Sequence, residues 1–178
     1  MPFFALCPSG NTHFNKKSGY SNCFFYYLTG MQDKKSIEQV VLHKFIGLFQ
    51  EFPAGRITAG ESPDFLLRAN TGKAIGIELT ELRGQDFLNH THGLIEPRNI
   101  LYYIEKTIQS KEKKIYLYRK NKLFQLWLLI HLDSFGPAIN FKLENKLTNL
   151  HIHSGFDRIF LLELTSEKLF EFIEPITP

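Results

Sequence analysis

Residues 63–80, Pro63-Asp64-Phe65-Leu66-Leu67-Arg68-Ala69-Asn70-Thr71-Gly72-Lys73-Ala74-Ile75-Gly76-Ile77-Glu78-Leu79-Thr80, read as a hairpin that ends in acids. An apolar strand opens with Pro-Asp, Asn70-Thr71-Gly72 reverses the chain, and a second apolar strand carries Glu78 near its end. Strand interiors disfavour Asp and Glu, so two acids placed this way need a reason. Antiparallel pairing about the turn sets Asp64 opposite the region just beyond Glu78, and strand alternation turns Glu78 and Thr80 to one face. Two carboxylates a few ångströms apart repel unless a cation lies between them or one is protonated. A shared divalent metal is the best reason. Mg²⁺ takes hard oxygen ligands and keeps several waters, so two carboxylates and one backbone carbonyl are enough protein.

Outward from the hairpin, Ile37, Val40, Val41, Phe45, Leu48 and Phe52 repeat at helical spacing. They predict a helix over 37–51, opened by a capping box of Ser36 and Gln39 and stopped by Pro53-Ala54-Gly55. A weak strand over 56–59 precedes the hairpin strands, 64–69 and 73–82. The polar loop 83–94 holds His90 and His92. Pro97 opens a long helix to about residue 119, its buried side marked by Ile100, Ile104, Ile108, Ile115 and Tyr118. The run 123–132 is nearly all apolar and reads as a strand buried on both faces. Beyond Gly136-Pro137, a short helix over 141–150, a strand over 158–164 and a terminal helix over 166–173 are expected. This order predicts an α/β domain with a mixed central sheet flanked by helices. Residues 1–30 mix aromatic and small polar residues without a period, which predicts an N-terminal arm before one domain over 31–178.

A chain of 178 residues, 43% of them hydrophobic, fits one domain with a real core. The net charge of +3 decides little, but its distribution is uneven. Between Lys106 and Lys122 seven basic residues stand against one acid, Glu112, so the remainder of the chain is net acidic. Such a block suits a phosphate-contacting surface and equally a solvated helix face. Cys7 and Cys23 form no disulfide framework or zinc ribbon, which fits a reducing cytoplasm. No apolar run approaches the ~20 residues that span a membrane. Walker, Rossmann, Gly-x-Ser-x-Gly and His-Glu-x-x-His signatures are missing. The pairs His90-Thr91-His92 and His151-Ile152-His153 suggest zinc only weakly, since no acid or Cys is fixed beside them. His131 reads as a hydrogen-bonded core residue.

The element order, with Pro63-Asp64 before a turn and Glu78-Leu79-Thr80 after it, resembles the PD-(D/E)xK nuclease superfamily over about residues 35–164. The resemblance implies a restriction-endonuclease-like three-layer core and a metal-dependent hydrolase of phosphodiester bonds, in DNA first and RNA second. It implies Mg²⁺ or Mn²⁺ held by Asp64, Glu78 and the Leu79 carbonyl, with Glu38 on the first helix as the assisting acid of the same metal site. The sequence departs from the pattern at the motif lysine, where it has Thr80. Either the lysine has moved to another element or the fold is catalytically dead. Lys111, Lys114 and Tyr118, spaced by three and four, share a face of the long helix. Lys111 is the first candidate for the moved lysine and Lys114 the second, ahead of Lys106 and Lys73, while Thr80 would add a hydrogen bond. His90, His92, Lys113, Tyr118, Arg119 and Lys120 are the expected nucleic-acid contacts. A homodimer is a further expectation, since many nucleases of this fold pair to cut both strands. The alternative reading is a catalytically inactive module that binds nucleic acid or a protein partner.

Overall fold

The computed structural model describes residues 12–13, 33–82, 97–132, 145–147, 150 and 152–172. The first helix, α1, runs over Lys34–Leu48. Its N-cap is Asp33, whose carboxylate accepts the backbone N–H groups of Lys35 at 2.7 Å and Ser36 at 3.1 Å, and also the Ser36 hydroxyl. The expected capping box at Ser36 therefore gives way to an acid three residues earlier. An ionised carboxylate is the stronger acceptor, and it complements the helix dipole.

Seven strands form one sheet in chain order: β1 Thr12–His13, β2 Gly55–Ala59, β3 Phe65–Ala69, β4 Ala74–Glu81, β5 Gln125–Leu132, β6 Arg158–Glu163 and β7 Lys168–Phe172. Strands β1 to β4 run antiparallel to one another in succession, β5 and β6 lie parallel to β4, and β7 is antiparallel to β6. The sheet is thus mixed, as the sequence predicts. Thr12 and His13 pair with β2, and the rest of the expected arm lies outside the described residues. The β3–β4 turn closes through Ala69 N–H to Lys73 O at 2.9 Å, with Gly72 in the left-handed region at φ 81°.

Between β4 and β5 come helices α2, Pro97–Glu112, and α3, Ile115–Tyr118, then a 3₁₀ turn over Arg119–Asn121. The single helix expected over 97–119 is interrupted at 113–114. The basic run Lys111, Lys113 and Lys114 suits a helix C-terminus, which is where the break puts it.

Each face of the sheet has its own core. Val41, Leu42 and Phe45 of α1 pack with Ile77, Trp127, Leu129 and Phe160 on one face. Ile100, Ile104 and Ile108 of α2 pack with Leu126, Leu128, Ile130 and Leu161 on the other. Strand β5 sends alternate residues into both cores, which explains its unbroken apolar run. The terminal helix expected over 166–173 is instead β7. Glu167 turns the chain at φ 55°, Leu169 joins the α1 face, and Phe170 and Phe172 join the α2 face, a period of two. No described helix is long and apolar enough to cross a membrane.

Candidate active site

Strand register builds the site. β3 pairs with β4 only as far as Phe65 opposite Ile77, whereas β4 continues to Glu81. Past Ile77, the β4 edge that faces β3 has no strand partner among the described residues, and its polar groups must find others. Asp64, just before β3, accepts the Leu79 N–H on Oδ2 at 2.8 Å. The Leu79 carbonyl accepts from Lys111 Nζ, on α2, at 3.1 Å. The same ammonium lies 2.7 Å from Glu78 Oε1. Gly76 permits the close approach of the segment that delivers Asp64. A Cβ there would stand 2.8 Å from the Pro63 ring and 2.6 Å from Leu123.

Glu38, Asp64 and Glu78 are all at least nine-tenths buried. Glu38 reaches the site from α1 with Lys34 at 3.1 Å and Lys35 at 3.2 Å. Lys35 also donates to the Gly60 carbonyl at 2.7 Å and stands 3.9 Å from Asp64 Oδ1, so it links the two acids. Burial pushes the Asp64 carboxyl up to about 6; the charges of Glu78 and Glu38 add to the rise, while the Leu79 N–H and Lys111 oppose it. Glu78 Oε2 and the Tyr118 hydroxyl are both buried without a partner at full hydrogen-bond distance. The buried Tyr118 phenol lies against Glu78, and burial followed by the Glu78 charge raises its pKa. Burial lowers His131, on β5, to about 4.

The structure brings Asp64, Glu78, the Leu79 peptide and Lys111 together. Glu38 joins them through Lys35 rather than by touching Glu78. Thr80 is half-buried, one β-repeat beyond Glu78 on the same face. Lys114 does not join the carboxylates: it is exposed, and it caps α3. Tyr118 corrects an expectation. Only 2% exposed, it cannot be a nucleic-acid contact, because its place two turns after Lys111 points it inward. Lys113, Arg119 and Lys120 are exposed, and Arg119 donates to the Gly155 carbonyl at 3.1 Å. His90, His92 and His151 lie outside the described residues.

Lys34 and Lys35 are absent from the sequence reading, although their spacing of four and three from Glu38 was the available signal. Among the described residues, no group of three or more His, Cys, Asp or Glu side chains is placed to hold a metal ion. What the site offers is the Glu78 carboxylate and the Leu79 carbonyl on the Lys111 ammonium, with the Asp64 carboxylate on the Leu79 N–H beside them. Compared with protein-family models, curated proteins and solved structures, the chain matches none.

Proposed function

We propose that the chain is a metal-dependent nuclease of the PD-(D/E)xK type whose lysine is carried by α2. The succession of α1, the antiparallel β2–β3–β4, α2 and the parallel β5 supports the restriction-endonuclease-like reading. The observation that carries the proposal is the Lys111 ammonium, held 2.7 Å from Glu78 Oε1 and 3.1 Å from the Leu79 carbonyl. A positive charge thus stands beside the motif acid even though Thr80 has none to give.

The donors fit a divalent ion. Asp64, Glu78 and the Leu79 carbonyl are hard oxygens of the kind such an ion takes. The Asp64 pKa is raised first by burial and then by the charges of Glu78 and Glu38, and only the latter part is what a dication would offset. Asp64, Glu78 and the Leu79 carbonyl would hold Mg²⁺ or Mn²⁺. When bound, the ion would acidify water and neutralise charge on a phosphodiester. The chain's own residues do the rest. Lys111 presents its charge to a phosphate oxygen or the attacking water, and Thr80 offers a hydrogen bond on the Glu78 face. Lys35 keeps Asp64 and Glu38 in place, so Glu38 is a positioning residue.

Thr80 favours a second reading, a catalytically inactive module in which Lys111 permanently occupies the place of the cation. One experiment separates the two: cleavage of single-stranded DNA, duplex DNA and RNA with Mg²⁺, Mn²⁺ or EDTA. The nuclease reading expects metal-dependent cutting that falls about 10²–10⁴-fold in Asp64→Ala and Lys111→Ala. No cutting with any metal, together with no calorimetric Mn²⁺ binding, would leave the inactive module.

A further inference from the structure

The large hydrophobic side chains left exposed among the described residues are three aromatics, Tyr102 at 58%, Tyr116 at 66% and Phe124 at 54%. Each has a lysine ammonium over its ring. Lys106 lies 5.9 Å from the Tyr102 centroid, Lys120 lies 5.9 Å from that of Tyr116, and Lys73 lies 4.0 Å from that of Phe124. Tyr102, Lys106, Gln109, Lys113, Tyr116 and Lys120 advance by alternate steps of four and three, and all are exposed. Tyr102, Lys106 and Gln109 share a face of α2, Lys113, Tyr116 and Lys120 follow in the break, in α3 and in the 3₁₀ turn, and this outward ridge has the exposed Glu105 at its flank. The opposite side of the same helices carries Ile104, Ile108 and Lys111. Lys106, Lys113 and Lys120 have no acid partner among the described residues, whereas the one acid of this basic block, Glu112, accepts from Gly155 N–H at 3.1 Å.

Exposed rings cost hydrophobic free energy, and unpaired lysines repel one another, so the combination calls for a partner that relieves both. A single strand of nucleic acid does so. Its unpaired bases stack on aromatic faces, and its phosphates take the lysines. A duplex hides its base faces and would leave the rings unused. We propose that this ridge, together with the Phe124–Lys73 pair that follows the 3₁₀ turn, is a track for single-stranded nucleic acid, with bases on Tyr102, Tyr116 and Phe124 and phosphates on Lys106, Lys113, Lys120 and Lys73. The track lies about one helix diameter, ~10 Å, from the carboxylates across α2. It rests on the nuclease reading only for what happens to the strand once it is held.

The test is fluorescence anisotropy of the full chain with a labelled thymidine oligomer of about 20 nucleotides and its duplex, in EDTA, where no cleavage can intervene. The single strand is expected to bind more tightly than the duplex. Tyr102→Ala, Tyr116→Ala and Phe124→Ala should each weaken single-strand binding about five- to hundredfold, and Tyr116→Phe should retain it. Duplex binding should hardly move in any of them. Equal single-strand affinity after removal of all three rings would overturn the track. So would a self-association of the wild type that the triple variant abolishes, which would assign the rings to a protein interface. Ring-dependent binding in a chain that never cuts would overturn the nuclease reading and leave the track standing.

Discussion

Asp64 carries a penalty in the folded protein. Its pKa stands at about 6 against an ordinary 3.8, raised first by burial and then by Glu78 and Glu38. Between those two values the folded state binds more protons than the unfolded chain, so stability falls as pH rises through that window. Above it the penalty is complete, on the order of 3 kcal/mol. Asp64→Asn removes the charge but keeps an oxygen that can accept the Leu79 N–H. The metal-free variant should therefore be about 3 kcal/mol more stable than wild type near neutral pH and no more stable near pH 4. Urea unfolding at the two pH values decides this, and a variant equal to wild type at both would refute it. Lys111 is the counterpart. Lys111→Met leaves Glu78 Oε1 and the Leu79 carbonyl without their donor, at a cost of about 3 kcal/mol. If these oxygens take a cation, Mn²⁺ should raise the melting temperature of Lys111→Met more than that of wild type. An equal or smaller rise would separate Lys111 from the cation site.

The β3–β4 hairpin is the element on which the site depends, and its geometry turns on Gly76. A methyl group there meets the Pro63 ring at 2.8 Å, and the rigid ring cannot move without Asp64. Gly76→Ala should destabilise the fold by about 1–3 kcal/mol and lower Mn²⁺ affinity beyond what the unfolded fraction explains, as titration calorimetry at low temperature would measure. Unchanged affinity in the folded variant would mean that Pro63 does not set Asp64. This hairpin was legible in the sequence because its signals are local: a glycine turn and period-two apolar strands that end in acids. Other parts were not legible, for reasons that can be named. Leu169, Phe170 and Phe172 fit a helix or a strand, and the choice is made by the turn at Glu167 and by pairing with β6. Lys111 and Lys114 look interchangeable on an unbroken helix, but the break at 113–114 leaves only Lys111 facing Glu78. Tyr118 carried two signals, an apolar period and an aromatic beside lysines, and burial took precedence.

Charge is divided unevenly over the molecule, and this sets how it should meet a polyanion. The acids that matter are sunk between the two cores, while Lys73, Lys106, Lys113 and Lys120 stand on the surface around exposed rings. A strand that engages these four lysines should release counterions in proportion, with log affinity falling against log salt at a slope of about −3. Stacking makes no such contribution. Lys113→Gln should therefore flatten the slope by about 0.7, whereas Tyr116→Ala should lower affinity at every salt concentration and keep the slope. Anisotropy titrations in EDTA over a series of salt concentrations measure both quantities at once. A wild-type slope near zero would remove phosphate from the basic surface altogether. A Tyr116→Ala slope that flattened as Lys113→Gln does would mean that the ring acts by holding Lys120 in position rather than by receiving a base.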